Sequence, residues 1–369
     1  MLAPALAVLS AAIVAAADPT LENQAQEGSV DGKAAASIAP GHPPDWFLLP
    51  VAFWLPETKL GFGAAGGLHF LLEGSTRASN VFAVAAYTLE KQGSIDVASD
   101  LYLRSGTLVT AKLRAVHYPD AFYGVGARTP EEARDAYTRR FVEAAASLEL
   151  PALGGRLRVG PRVAARAEEI RDVRPGGLLD TSGLPGLRGF AALGVGGSVT
   201  WDTRDRPLWP GRGQFAQAYY VRYPEALGDG GAFGKAALDL RSFHPLGREQ
   251  ILAFGLVVEN ADGDVPFTLL SRIGNARFLR GYREGRYRDR LAWAAQTELR
   301  VPLASRVWGT AFAAAGDVER NLSLRLDTIK AAGGLGLRFR LTGEGANLRL
   351  DVAASEAGPE VYVVLLEAF

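Results

Sequence analysis

The sequence offers few residues able to do covalent or metal chemistry. It contains no cysteine, which removes disulfides, thiolate nucleophiles and thiolate-held metals. Its four histidines, His42, His69, His117 and His244, stand singly, without the spacing that brings two imidazoles to one metal. There is no Gly-x-Ser-x-Gly elbow for a serine nucleophile, so an enzyme reading, a phospholipase for example, has no residue set to carry it. One run, Gly61-Phe62-Gly63-Ala64-Ala65-Gly66, matches the pyrophosphate-binding fingerprint. That fingerprint works only where a helix N-terminus follows, and here Leu68, Phe70 and Leu72 alternate as in a strand. A glycine-rich strand is the expected reading, with no cofactor and no metal implied. Forty basic and forty acidic residues cancel, leaving no electrostatic footprint for nucleic acid.

The elements around these residues point to an envelope protein. Leu2 to Ala17 form an apolar stretch ending in Ala15-Ala16-Ala17, so residues 1–17 read as a signal peptide with Asp18 first in the mature chain. No Lys or Arg precedes the apolar run, and a buried N-terminal helix is the other reading. Residues 18–45, rich in Ala, Gly, Pro, Asn, Gln and Ser, read as a flexible periplasmic lead too short to fold. Beyond them no window holds the ~18 uninterrupted apolar residues of a spanning helix. Any span over 46–369 must therefore be a strand.

The dominant signal over 46–369 is period two. Leu348, Leu350 and Val352 alternate with Asn347, Arg349 and Asp351. Leu335, Leu337, Phe339 and Leu341 alternate with Gly334, Gly336, Arg338 and Arg340, and Trp293, Ala295, Leu299 and Val301 run against Gln296, Glu298 and Arg300. In a soluble sandwich the polar set would face water; in a membrane barrel the apolar set faces lipid and the polar set a wet lumen. Connector lengths choose between them. About sixteen strands are expected, at 46–55, 60–72, 79–91, 93–104, 107–118, 134–150, 154–170 and 190–204, then 213–224, 232–246, 249–262, 289–303, 306–316, 329–342, 346–355 and 360–369. With the N-terminus in the periplasm, connectors after even-numbered strands should be short turns. Arg104–Thr107, Pro151–Gly155, Pro245–Glu249 and Gly343–Ala346 are short, whereas the long connectors near 119–133, 171–189, 263–288 and 317–328 all follow odd-numbered strands. A soluble sandwich has no reason to obey that rule. The chain thus reads as all-β, a single transmembrane antiparallel barrel. Arg156, Arg158, Arg162 and Arg166 share one strand face; a polar lumen wall is the preferred reading, a positive patch for anionic solutes or polypeptides the other.

Three motifs add a family resemblance. Arg277-Phe278-Leu279-Arg280-Gly281-Tyr282, in the longest late connector, resembles the Arg-Gly-aromatic motif on the sixth extracellular loop of the BamA/TamA-like surface-antigen superfamily, and five strands follow it as in that family. Trp201-Asp202-Thr203-Arg204-Asp205-Arg206-Pro207-Leu208-Trp209-Pro210-Gly211-Arg212-Gly213 resembles the family's strand-end motif and periplasmic turn, with Asp202, Arg204, Asp205, Pro210 and Gly213 as its matching residues. Phe369, closing the alternation Val361, Val363, Leu365, resembles the C-terminal recognition signal of outer-membrane barrels. The opening of the barrel, Leu55-Pro56-Glu57-Thr58 and Gly61-Phe62-Gly63-Ala64, is similar to members of the family without periplasmic (POTRA) domains.

The resemblance implies a loop folded into the lumen and locked there by Arg280, Gly281 and Tyr282. In the family the Arg meets a Glu on the next strand and an Asp on the one after. Glu298 matches the first partner; the second position falls on Ala314, which leaves one expected acid, with Asp202 or Asp351 as substitutes. The pair Arg280–Glu298 either plugs the barrel or gates it. The implied location is the outer membrane of a Gram-negative bacterium. The implied partners are outer-membrane lipid, the assembly machinery during biogenesis and a separate periplasmic protein. The implied activity is help in inserting proteins into, or moving them across, that membrane; a passive pore or anchoring barrel is the alternative. Pro50 and Pro56 lie in and just after the first strand, where lost ladder donors predict a weak seam.

Overall fold

A computed structural model of the chain describes residues 45–75, 78–206, 209–247, 249–321, 323, 325–340 and 347–365. The expected signal peptide, nearly all of the lead, Pro207, Leu208, Leu341, the turn Gly343–Ala346 and Phe369 lie outside the described residues. The strands are β1 (Asp45–Leu55), β2 (Lys59–Leu71), β3 (Ala78–Thr88), β4 (Gly93–Tyr102), β5 (Leu108–Phe122) and β6 (Asp135–Ala152). There follow β7 (Leu157–Arg171), β8 (Gly189–Asp202), β9 (Gly213–Tyr223), β10 (Phe233–Leu246), β11 (Gln250–Gly263), β12 (Ser271–Ile273) and β13 (Tyr287–Asp289). The last are β14 (Leu291–Ala304), β15 (Val307–Glu319), β16 (Lys330–Arg340), β17 (Asn347–Ser355) and β18 (Gly358–Leu365). Sixteen of them, β1–β11 and β14–β18, close into one antiparallel barrel in chain order, and β12 and β13 form a separate hairpin.

The side chains are arranged inside out relative to a water-soluble protein. Leu335 is 68% exposed and Val352 49%, while Arg338 and Asp351 are 0% exposed and Arg349 1%. Water on both sides would reverse that order, since apolar surface leaves water at about 25 cal/mol per Å² and an unpaired buried guanidinium is costly. Hydrocarbon outside and a polar interior satisfy it. No described helix is long and apolar enough to cross a membrane, and strands do the crossing.

Two details differ from the sequence expectation. The connector expected at 263–288 contains the hairpin β12–β13, whose three-residue strands pair Ser271 with Asp289 and Ile273 with Tyr287 and are too short to show a period. β5 was expected to stop at residue 118, ahead of Pro119, but continues to Phe122, with Pro119 opposite Thr138. Beyond His117, the last β5 residue paired with β4, only β6 lies beside β5, and a proline is tolerated there as at a sheet edge.

Candidate functional site

The connector between β11 and β14 turns back into the barrel, and its apolar residues fill the lumen. Phe267 and Leu270 join Phe122, Tyr137, Phe190 and Phe233. Ala276 packs with Phe53, Phe82, Phe312 and Tyr362, and Phe278, Leu279 and Tyr282 pack with Tyr287 and Ala314. Local hydrogen bonds shape its tip. Asn275 Oδ1 accepts from the backbone N–H of Arg277 at 2.8 Å and of Phe278 at 2.7 Å, an Asx-type turn. Gly281 holds φ +106°, and a side chain there would meet Ala332, Ser355 and Ala353 at 3.2–3.6 Å. Both the backbone and the close wall therefore require glycine. Its N–H donates to Tyr362 Oη at 2.8 Å, its carbonyl accepts from Ser355 Oγ at 2.6 Å, and Tyr282 Oη donates to the Ala331 carbonyl at 3.1 Å.

Arg280 is the centre of the site. Its Nη2 donates to Glu298 Oε2 at 2.9 Å and its Nη1 to Asp351 Oδ2 at 2.5 Å, and its Cζ lies 3.4 Å from the Phe312 ring centroid. The wall builds the rest of the cluster. Arg338 on β16 donates to Asp351 at 2.5 Å and Glu298 at 3.1 Å. Arg300 on β14 donates to Glu298 at 2.9 Å, Arg349 lies 3.4 Å from Asp351, and Arg349 Nη2 also donates to the Ala276 carbonyl. Each of the six charged residues, Arg280, Glu298, Arg300, Arg338, Arg349 and Asp351, is at most 1% exposed. The structure brings Arg280 together with Glu298 and with a second acid, Asp351, which is one of the two substitutes named for the position that falls on Ala314. Ala314 packs under Leu279 and Tyr282 as small filler, and Asp351 on β17 supplies the second carboxylate. Asp202 stands apart, bound by the backbone N–H and guanidinium of Arg204.

The turn from Thr203 to Arg212 closes on itself by the motif residues. Asp205 Oδ1 accepts from the N–H groups of Gly211 and Arg212 at 2.9 and 3.2 Å. Gly213 holds φ +104° with the Thr203 carbonyl 2.3 Å from where a Cβ would stand. The fold then places Pro210 in a buried position and leaves Trp209 wholly unexposed, although it belongs to a turn. Trp209 meets Trp308 edge to face at 5.3 Å and lies under Arg300 at 4.6 Å and Arg340 at 5.9 Å. Sequence reasoning quoted Trp209 in the motif without giving it a role; a large aromatic beside two turn prolines was the available signal. It also missed Arg300, Arg338, Phe312 and Tyr362 as site residues, although lumen parity marks the two arginines.

The four arginines expected on one strand face differ in their surroundings. Arg166 bonds Glu143 at 2.7 Å and Glu168 at 3.0 Å, and Arg162 lies over Tyr219; Arg158 faces Tyr102 and Arg156 is exposed at the turn. The run Gly61–Gly66 lies inside β2, where the Phe53 ring occupies the place of a Gly61 side chain.

A family model described as the Omp85 superfamily domain matches residues 169–361, the half that carries the turn, the loop and all six residues of the charge cluster. The chain belongs to the Omp85 superfamily. This is where the BamA/TamA-like resemblance pointed, and it makes the protein an outer-membrane barrel. No curated protein matches the chain. Among solved structures, this Omp85 barrel is similar to BamA from Haemophilus ducreyi lacking POTRA domains 1–3, at TM-score 0.64 and 14% identity over 88% of this chain and 70% of that one. It is similar to CdiB from Escherichia coli at TM-score 0.57 and 14% identity, covering 89% and 63% of the two chains. CdiB from Acinetobacter baumannii gives TM-score 0.55 and 11% identity, covering 87% and 59%. The chain thus spans less than two thirds of the length of both CdiB structures. At these identities the likeness establishes the fold.

Proposed function

We propose that this barrel assists insertion or translocation of proteins at the outer membrane, through a seam between β1 and β18 that the loop lock helps to hold. The observation carrying the proposal is the pairing at the seam. β1 pairs with β2 along its whole length, from Asp45–His69 to Leu55–Lys59, yet among the described residues only Trp54–Val363 is in register across β1 and β18. Pro50 stands within β1 and has no N–H to give to a ladder. The loop reaches the same seam through the Gly281–Tyr362 hydrogen bond. A lumen filled by that loop argues against a permanently open passive pore. In this reading the long connectors face outward and Arg280–Glu298 serves as a gate. The partners are outer-membrane lipid, the assembly machinery during biogenesis and a separate periplasmic protein that delivers clients.

The chain lacks cysteine, so Trp54→Cys with Val363→Cys places one disulfide across the seam; directly opposed residues have the right spacing. In proteoliposomes, insertion of a urea-unfolded client barrel should fall on oxidation and return with reductant. Equal insertion in both states would refute the seam. Conductance without any client insertion would make the protein a pore.

A further inference from the structure

On the lipid-facing side of β2–β8 the wall encloses an outward-opening trough of about 1140 Å³, where a simple barrel would be convex. One row of residues crosses it: Phe62 opposite Tyr87, Tyr87 opposite Gly93, Gly93 opposite His117, His117 opposite Arg140, Arg140 opposite Glu169 and Glu169 opposite Gly189. In the next lipid-facing row, from Ala64 to Ala191, five of seven residues are alanine, and only Ile95 and Val142 stand above the floor. The trough is apolar at the Phe62–Tyr87 end and charged at the other, where Arg140 and Arg188 stand beside Glu169 and Asp229.

The charges at that end are the second observation. Charged side chains are costly on a lipid-facing wall and are tolerated near the membrane interface. Glu169 is engaged by Arg171 at 2.8 Å, and Asp229 by the Ala191 N–H at 2.6 Å. Arg140 is exposed and donates through Nε to His117 Nδ1 at 3.0 Å, with no carboxylate partner among the described residues. Arg188 is exposed and makes no ion pair or hydrogen bond among them. Two guanidinium groups are therefore left to meet an anion at the edge of an apolar floor. Every strand end forming the trough lies on the side of the connectors that follow odd-numbered strands.

We propose that this trough binds a phosphorylated, many-chained glycolipid of the outer leaflet, with its phosphate on Arg140 and Arg188 and its acyl chains on the alanine floor. Seven strands span roughly 30 Å, so a two-chain phospholipid would cover only part of it. The choice of leaflet rests on the orientation proposed above; binding to the purified protein does not.

The probes are diphosphoryl lipid A and phosphatidylglycerol, added to purified barrel in detergent micelles and counted by native mass spectrometry. Lipid A should stay bound to the parent protein, and Arg140→Gln with Arg188→Gln should weaken retention about tenfold. Ala115→Trp, which fills the floor without touching a charge, should also lower it. Heat-modified migration in gels confirms that each variant is a folded barrel. Unchanged retention in both variants would overturn the site. Equal or better retention of phosphatidylglycerol would overturn the glycolipid as its occupant, and labelling of loop tags in intact cells reports separately on orientation.

Discussion

Removing either end of the Arg280–Glu298 contact should open the loop, but not equally. The cluster holds four cations, Arg280, Arg300, Arg338 and Arg349, and two acids, Glu298 and Asp351. Arg280→Ala leaves three cations on two acids, with Glu298 still bound by Arg300 and Arg338 and Asp351 by Arg338 and Arg349. It removes two charge-assisted hydrogen bonds and the stacking on Phe312, yet relieves part of the positive excess. Glu298→Gln leaves four cations on one acid, all at most 1% exposed. Breaking a buried ion pair costs about 3–5 kcal/mol. We place Glu298→Gln at the top of that range and Arg280→Ala near the bottom. At ~1.4 kcal/mol per decade the loop-open population rises roughly two orders of magnitude for Arg280→Ala and more than three for Glu298→Gln.

Two assays read this. Trypsin cleavage at Arg283 or Arg286 reports the open loop while the strands stay protected, and planar-bilayer conductance reports the freed lumen. The double variant Arg280→Ala, Glu298→Gln should cost less than the sum, because once Arg280 is gone Glu298→Gln strands one fewer cation. Equal single effects that simply add would show that the six residues do not act as one charge cluster, and the loop would have to be held by its apolar contacts instead.

Four further outcomes are expected. Leu335→Arg should destabilise the barrel by about 2–4 kcal/mol if the site is near the membrane midplane, whereas Leu335→Phe should cost little; urea titration in lipid vesicles measures both, and equal effects would contradict the lipid-facing assignment. Tags at Glu132 or Gly177 should be labelled on intact cells and a tag at Gly154 only after the outer membrane is permeabilised; labelling at all three sites only after permeabilisation would invert the orientation. Trp209→Ala should cost about 3–5 kcal/mol as a large buried aromatic is lost and should raise conductance by opening the barrel at the turn end; unaltered conductance would mean the turn seals nothing. Tyr362→Phe leaves the buried Gly281 N–H without its acceptor, about 1–3 kcal/mol, so loop cleavage should quicken with the unfolding midpoint of the strands little changed; an unchanged cleavage rate would sever the loop from β18.

The strands were legible because two solvents act on one ribbon. Lipid outside and a polar lumen inside force period two on every span, so Leu335, Leu337 and Phe339 read against Gly336 and Arg338 whatever their neighbours do. Connector parity was legible for a topological reason: barrel strands alternate direction, and long loops gather at one end. The second acid facing Arg280, Asp351, was legible only as one of two substitutes, beside Asp202. Which lumen carboxylate reaches a loop tip depends on the depth to which the loop descends and on the stagger of strands five elements downstream. Both are set by register: Asp351 lies opposite Tyr362 and next but one to Arg349, a placement that no local spacing encodes. Trp209 was missed for a related reason. Its burial depends on the turn folding across the barrel end against Trp308, nearly a hundred residues away.

The loop is held by the strands that follow it, one after another up to the seam. Arg280 bonds Glu298 on β14 and lies on Phe312 of β15; Tyr282 donates to Ala331 on β16; Arg280 and Gly281 bond Asp351 and Ser355 on β17; and Gly281 donates to Tyr362 on β18. A rigid wall would need only one or two of these anchors. Spread over five consecutive strands, they make the loop a brace across the half of the barrel that ends at the β1–β18 junction. Widening that junction moves β18 relative to β14, and one loop tip cannot keep partners on strands that separate. If the seam opens as proposed, part of the charge cluster is given up. Glu298 also holds Arg300, which lies over Trp209 at the turn end. The contacts thus run continuously from the seam, through the lock, to the buried Trp209 at the turn end.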